Sequence, residues 1–118
     1  MSTAKAVTIY HHPGCSKSRR ALALLREHGV EPEVVEYLKT PPSARRVREL
    51  IGLLGCDPHE LLRPAEAPHV ELGLSRESGA KAIAGAVAQH PILMERPVVV
   101  AGGRAVIGRP PESVLDLL

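Results

Sequence analysis

One stretch constrains this chain more than any other: an apolar run that breaks at Pro-Gly, followed at once by a cysteine and a helical pattern. It is Ile9-Tyr10-His11-His12-Pro13-Gly14-Cys15-Ser16-Lys17-Ser18-Arg19. Ala6-Val7-Thr8-Ile9 has the composition of a strand, and Pro13 and Gly14 end it. From Ser16 the spacing predicts a helix with Leu22 and Leu25 on one face and Gly29 just past its C-terminus. Cys15 is therefore expected at a strand-to-helix turn, on the first turn of the helix. Unpaired N–H groups and the helix dipole favour an anion there. A thiolate is such an anion, so the position should lower the thiol pKa and make Cys15 a nucleophile. The same amides can cradle an oxyanion. A buried structural cysteine is the competing reading, but His, Lys and Arg are poor company for an apolar site.

Further along, 31–38 reads as a second strand, stopped by Thr40-Pro41-Pro42. Ser43 can cap the next helix, in which Val47, Leu50, Ile51 and Leu54 follow the i, i+3, i+4, i+7 pattern and Gly55 ends the run. Asp57-Pro58-His59-Glu60 combines an N-cap Asp, Pro at N1 and Glu at N3, so a short helix carrying Leu61 and Leu62 should follow. The segment from Pro64 to Gly73 is expected to be irregular. A helix is expected from about Ser78 to Gln89, with Ile83 and Val87 on one face and Pro91 closing it. Pro97–Ala101 and Arg104–Ile107 read as strands joined at Gly102-Gly103. A last helix opens at Pro110-Pro111-Glu112, with Val114, Leu115 and Leu118 apolar.

A helix crossover makes the first two strands parallel, and the last two form an antiparallel hairpin. The expected fold class is α/β: a mixed four-stranded sheet flanked by helices, with a helical insertion between the second and third strands. With a reactive cysteine after the first strand, this is the thioredoxin-like arrangement. At 118 residues the chain suits a single domain over 1–118. Apolar residues make up 44% of it with no Phe or Trp, so aliphatic side chains must fill the core. The net charge of +2 suits an anionic ligand, but no aromatic-interleaved basic patch suggests nucleic acid. No apolar run is long enough to span a membrane and no secretory leader is recognised. Two cysteines in such a chain fit a reducing compartment, so a cytoplasmic protein and a monomer are expected.

The order of motifs resembles the glutaredoxin-coupled arsenate reductase family. The stretch 10–19 is similar to that family's Tyr-His-Asn-Pro-x-Cys-x-x-Ser-Arg opening, and Glu60-Leu61-Leu62-Arg63 resembles its mid-chain Leu-Arg segment. His90-Pro91-Ile92-Leu93-Met94-Glu95-Arg96-Pro97 is similar to its His-Pro-x-Leu-x-x-Arg-Pro block, and Ile107-Gly108-Arg109-Pro110 to its final Arg-Pro. The resemblance spans essentially the whole chain. It departs at His12, where the family usually has Asn, and at Ser16-Lys17, where the best-studied reductases have Gly-Thr.

This resemblance implies reduction of arsenate to arsenite through a covalent Cys15–arsenic intermediate, with no bound cofactor. Glutathione would be the thiol co-substrate and glutaredoxin the protein partner. Position 18, where a dithiol thioredoxin has its second cysteine, is Ser18, so the resolving thiol must come from elsewhere. The resemblance nominates Arg63, Arg96 and Arg109 as the oxyanion clamp; a planar, permanently charged fork suits that task. It also nominates Pro97 as a cis proline facing the cysteine. His11 is expected to help hold Cys15 as a thiolate, with Ser18 in support. His11, His12 and Cys15 lack a fourth ligand at zinc-like spacing, so no metal is expected. Lys17 and Arg19 either add positive field at the thiolate or point to water. Cys56 is better placed as a packing residue than as a resolving thiol. The alternatives are a glutathione-dependent thiol/disulfide reductase, which need not keep three arginines, and a non-enzymatic thioredoxin-like regulator of the Spx type. The latter generally uses a Cys-x-x-Cys switch that is absent here.

Overall fold

The computed structural model describes residues 6–118. The strands are β1 (Val7–His11), β2 (Glu33–Glu36), β3 (Val98–Ala101) and β4 (Arg104–Ile107); the α-helices are α1 (Ser16–Glu27), α2 (Ala44–Leu54), α3 (Ala67–Glu71) and α4 (Gly79–Gln89). Three 3-10 helices cover Pro58–Leu61, Pro91–Leu93 and Pro111–Leu117. The sheet order is β2-β1-β3-β4, with β1 parallel to β2 and antiparallel to β3, and β3 antiparallel to β4. This is the mixed thioredoxin-like sheet. Within the span expected to be one domain, contacts gather into two compact units, one built from 6–36 with 96–118 and the other from Tyr37–Glu95.

The first unit contains the sheet. Strand periodicity puts Val7, Ile9 and His11 of β1 on one face. Val7 and Ile9 join Ala21, Leu24 and Leu25 of α1, Val99 and Ala101 of β3, and Val114 and Leu117 of the C-terminal 3-10 helix in one buried cluster. α1 ends as its glycine predicts: His28 is the C-cap and Gly29 has φ 79°. The hairpin turns at Gly102, with φ 60°. The last helix differs from the expectation. It is 3-10, so its apolar repeat is three residues; Val114 and Leu117 are buried while Leu118 is 49% exposed.

In the second unit α2 packs on α4, burying Val47, Leu50 and Ile51 of the former and Ile83 and Val87 of the latter. Ser43 Oγ accepts from Arg46 N–H at 3.1 Å, and Gly55 ends α2 at φ 66°. The Asp57–Glu60 capping box forms, but over a single 3-10 turn, with Leu62 already extended at its C-cap. The expectation of an irregular 64–73 segment is overturned by α3. That helix buries none of its own residues, which removes the apolar stripe that would mark it. Its tie is His69, whose Nε2 lies 2.8 Å from His59 Nε2.

Candidate active site

The site in the first unit starts where β1 stops. Cys15 N–H donates to His12 C=O at 3.0 Å, closing the Pro13-Gly14 turn. Arg19 Nη1 donates to Pro13 C=O at 2.8 Å and ties that turn to α1. Cys15 is the N-cap of α1, in extended conformation with φ −98° and ψ 122°. It thus stands one residue before the first turn, in the position where Ser or Asp usually accepts the orphan N–H bonds. Its sulfur makes no cap bond of regular geometry. Even so, the Ser18 and Lys17 N–H groups and the Arg96 guanidinium all act on it. Burial alone raises the Cys15 pKa; the Ser18 N–H, the Arg96 side chain and the Lys17 N–H together outweigh it, and the thiol lies below its ordinary value. Lys17 itself is exposed and contributes through its backbone.

His11 and Ser18 are buried polar residues, 6% and 0% exposed. His11 Nδ1 lies 2.6 Å from Ser18 Oγ, which also accepts from His12 N–H at 3.1 Å. Burial lowers the His11 pKa; Glu36 opposes this and His12, Arg26 and Arg19 reinforce it. The imidazole is therefore neutral near pH 7. A neutral ring puts no positive charge beside Cys15; what His11 meets is the hydroxyl of Ser18, the residue whose N–H acts on the sulfur.

Both the Arg96–Pro97 and Arg109–Pro110 bonds are cis. The first was expected; the second was not. The two segments face each other: Gly108 N–H donates to Pro97 C=O at 2.8 Å and Arg109 Nε to Arg96 C=O at 3.2 Å. Gly108 is what permits this approach, since a Cβ there would sit 2.7 Å from Pro97 Cγ. The sequence carried Gly108 within the Gly-Arg-Pro motif, but the contact with Pro97 joins residues eleven apart across a hairpin and has no local signal.

Of the three nominated arginines, Arg96 reaches Cys15 and Arg109 braces Arg96. Arg63 belongs to the second unit. There its guanidinium lies 3.5 Å from Glu95 Oε1 and 3.6 Å from Glu66 Oε2, so two carboxylates already offset its charge. Cys56 follows the C-cap of α2, and burial, with Glu60 beside it, pushes its thiol up. Among the described residues no group of three or more His, Cys, Asp or Glu is arranged to hold a metal ion.

A model of the ArsC family matches residues 10–117. The chain is 52% identical to YfgD of Escherichia coli (strain K12), a protein named as uncharacterised, over 97% of this chain and 98% of that one. It is 44% identical to an arsenate reductase of Rhizobium meliloti (strain 1021), covering 95% of this chain and 81% of the relative. The solved structure of an arsenate reductase from Vibrio cholerae superposes with a TM-score of 0.91 at 44% identity, over 98% of this chain and 100% of that one. From the motif at Cys15 to the final helix, the chain is a member of the ArsC family.

Proposed function

We propose that this protein is an oxidoreductase that reduces arsenate to arsenite, with Cys15 as the nucleophile. The observation that carries the reading is the Cys15 thiol, lowered by two helix N–H groups and by Arg96, with Arg109 fixed behind Arg96. Arsenate is a tetrahedral oxyanion. A thiolate can attack its arsenic while guanidinium groups bind its oxygens and take up charge in the transition state. The similarity to proteins named arsenate reductase supports the same substrate here.

The chemistry transfers two electrons. Cys15 displaces one arsenate oxygen, which leaves as water, and forms a sulfur–arsenic bond. Glutathione then attacks the Cys15 sulfur; the pair of electrons in the sulfur–arsenic bond stays on arsenic, and arsenite departs. The resulting Cys15–glutathione disulfide is reduced by a further thiol, supplied by glutaredoxin. No bound cofactor takes part. The reading puts the protein in the cytoplasm, where thiols stay reduced; no helix among the described residues is long and apolar enough to cross a membrane.

A second reading, general glutathione-dependent thiol/disulfide exchange, draws on Arg63. Its pairing with Glu66 and Glu95 means that one nominated oxyanion ligand is already occupied by carboxylates. The test compares arsenate with a neutral disulfide as substrates for wild type, Arg96→Ala and Arg109→Ala. Loss of arsenate turnover well beyond the loss on the disulfide supports the oxyanion role, because the higher Cys15 pKa of Arg96→Ala slows attack on both substrates. Equal arsenate turnover in wild type and variants moves the assignment to thiol exchange.

A further inference from the structure

A groove of about 500 Å³ runs beside α1, with His11, Pro13, Arg19, Leu22, Arg26 and Glu27 in its walls. Its position follows from helix geometry. Arg19, Leu22 and Arg26 are spaced i, i+3, i+7, so they share one stripe of α1, and the line runs back to Cys15, the N-cap residue just before the helix. At 1.5 Å per residue the line from Cys15 to Arg26 is about 16 Å long, enough for an extended tripeptide of about 10 Å.

Its charge is two guanidinium groups and one carboxylate, with Pro13 and Leu22 as the apolar surface. Both guanidinium charges are felt at the His11 ring, so they stand over the same floor. Neither is held in a way that would keep out a ligand. Arg19 bonds a neutral carbonyl, that of Pro13. Arg26 pairs with Glu31, and Glu27 with Arg20, through side chains at least half exposed, and such pairs exchange readily with a competing ion.

We propose that this groove binds the thiol co-substrate, a small peptide thiol carrying two carboxylates and one ammonium. The carboxylates meet Arg19 and Arg26, the ammonium meets Glu27, and the thiol lies toward Cys15. The inference rests on the reading that an external thiol resolves Cys15. It adds where that thiol docks and why an acidic peptide is preferred to a neutral thiol.

Glutathione is the probe, and the test has two arms. In the first, glutathione is titrated into the full-length protein without arsenate while backbone amide resonances are followed. Shifts concentrated at residues 19–27 support the groove; their absence there overturns it, whether or not the protein reduces arsenate. In the second, kcat/KM for glutathione is measured against that for 2-mercaptoethanol, which has no carboxylate. Arg26→Ala should lower the glutathione-to-mercaptoethanol ratio about two- to fivefold, the scale of an exposed ion pair. Glu31→Gln, which frees Arg26, should raise it. A ratio unchanged in both variants contradicts the proposal. If wild type reduces no arsenate, the functional reading fails and the resonance titration still decides the groove.

Discussion

Arg109 Nε donates to the carbonyl oxygen of Arg96 at 3.2 Å. That bond fixes the backbone from which Arg96 reaches the Cys15 sulfur. One arginine therefore acts on the thiolate and the other positions it. Changing Arg96 to Ala removes a charge-assisted contact, about 1.5–3 kcal/mol or roughly ten- to hundredfold in kcat/KM for arsenate. Arg109→Lys keeps a charge but loses the Nε donor, so it should rescue only partly. Full activity of Arg109→Lys would show that the bond to Arg96 is not needed.

The thiol pKa predicts a pH dependence. Thiolate accumulates as pH rises through the lowered Cys15 value, so its alkylation rate should level off at lower pH than that of an ordinary thiol. In Arg96→Ala the plateau should move to higher pH. Cys56, whose pKa is raised, should label slowly at neutral pH, and Cys56→Ala should retain turnover. Mass-resolved alkylation of the two cysteines checks both statements. Faster labelling of Cys56 than of Cys15 would reverse the assignment.

Ser18→Ala separates stability from reactivity. It strips the buried His11 ring and the His12 N–H of a partner, which should cost about 1–3 kcal/mol and lower Tm by several degrees. The N–H that Ser18 directs at Cys15 remains, so the thiol pKa should move little. A large pKa change with unaltered Tm would contradict this division.

His11 gives a second pH signature. Its folded pKa lies below the unfolded value of about 6.5. On acidification the unfolded chain takes up the proton first, so this contribution is present above about pH 6.5 and is lost as pH falls through the folded value. Urea unfolding at pH 7.5 and pH 5 should show a smaller acid loss for His11→Gln than for wild type. Equal losses would mean that the ring carries no such linkage.

The local signals in the sequence were the reliable ones. Ser43, Gly55 and the Asp57–Glu60 capping box act within four residues of themselves, and each is found as spaced. The lowered thiol is local in part: the Ser18 and Lys17 N–H groups belong to the helix start at Cys15, while Arg96 comes from far along the chain. Relations across the fold were not legible. Nothing near Arg63 in sequence announces Glu95, and nothing near Gly108 announces Pro97. α3 escaped because a five-residue helix that buries nothing leaves no periodic trace. The last helix is 3-10 and not α, so its three-residue repeat buries Val114 and Leu117 and leaves Leu118 exposed, which the apolar composition of 114–118 does not distinguish.

Gly108→Ala tests the packing of the two cis-proline segments. The new Cβ would lie 2.7 Å from Pro97 Cγ, 3.1 Å from Pro97 Cδ and 3.3 Å from Val114 Cγ1, and buried ring atoms have little room to yield. Overpacking of this kind costs about 1–3 kcal/mol, and the shift should carry through Pro97 to Arg96. Reduced Tm together with a raised Cys15 pKa is expected; a variant unchanged in both would show that the contact is slack.

The most direct measurement of the central claim is arsenite formed from arsenate by purified protein supplied with glutathione and glutaredoxin, for wild type beside Cys15→Ser. A serine hydroxyl is not ionised near neutral pH, so the account predicts sustained arsenite production by wild type and none above background by Cys15→Ser, with the variant still folded. Arsenite production that survives in Cys15→Ser, or none from wild type, would contradict it.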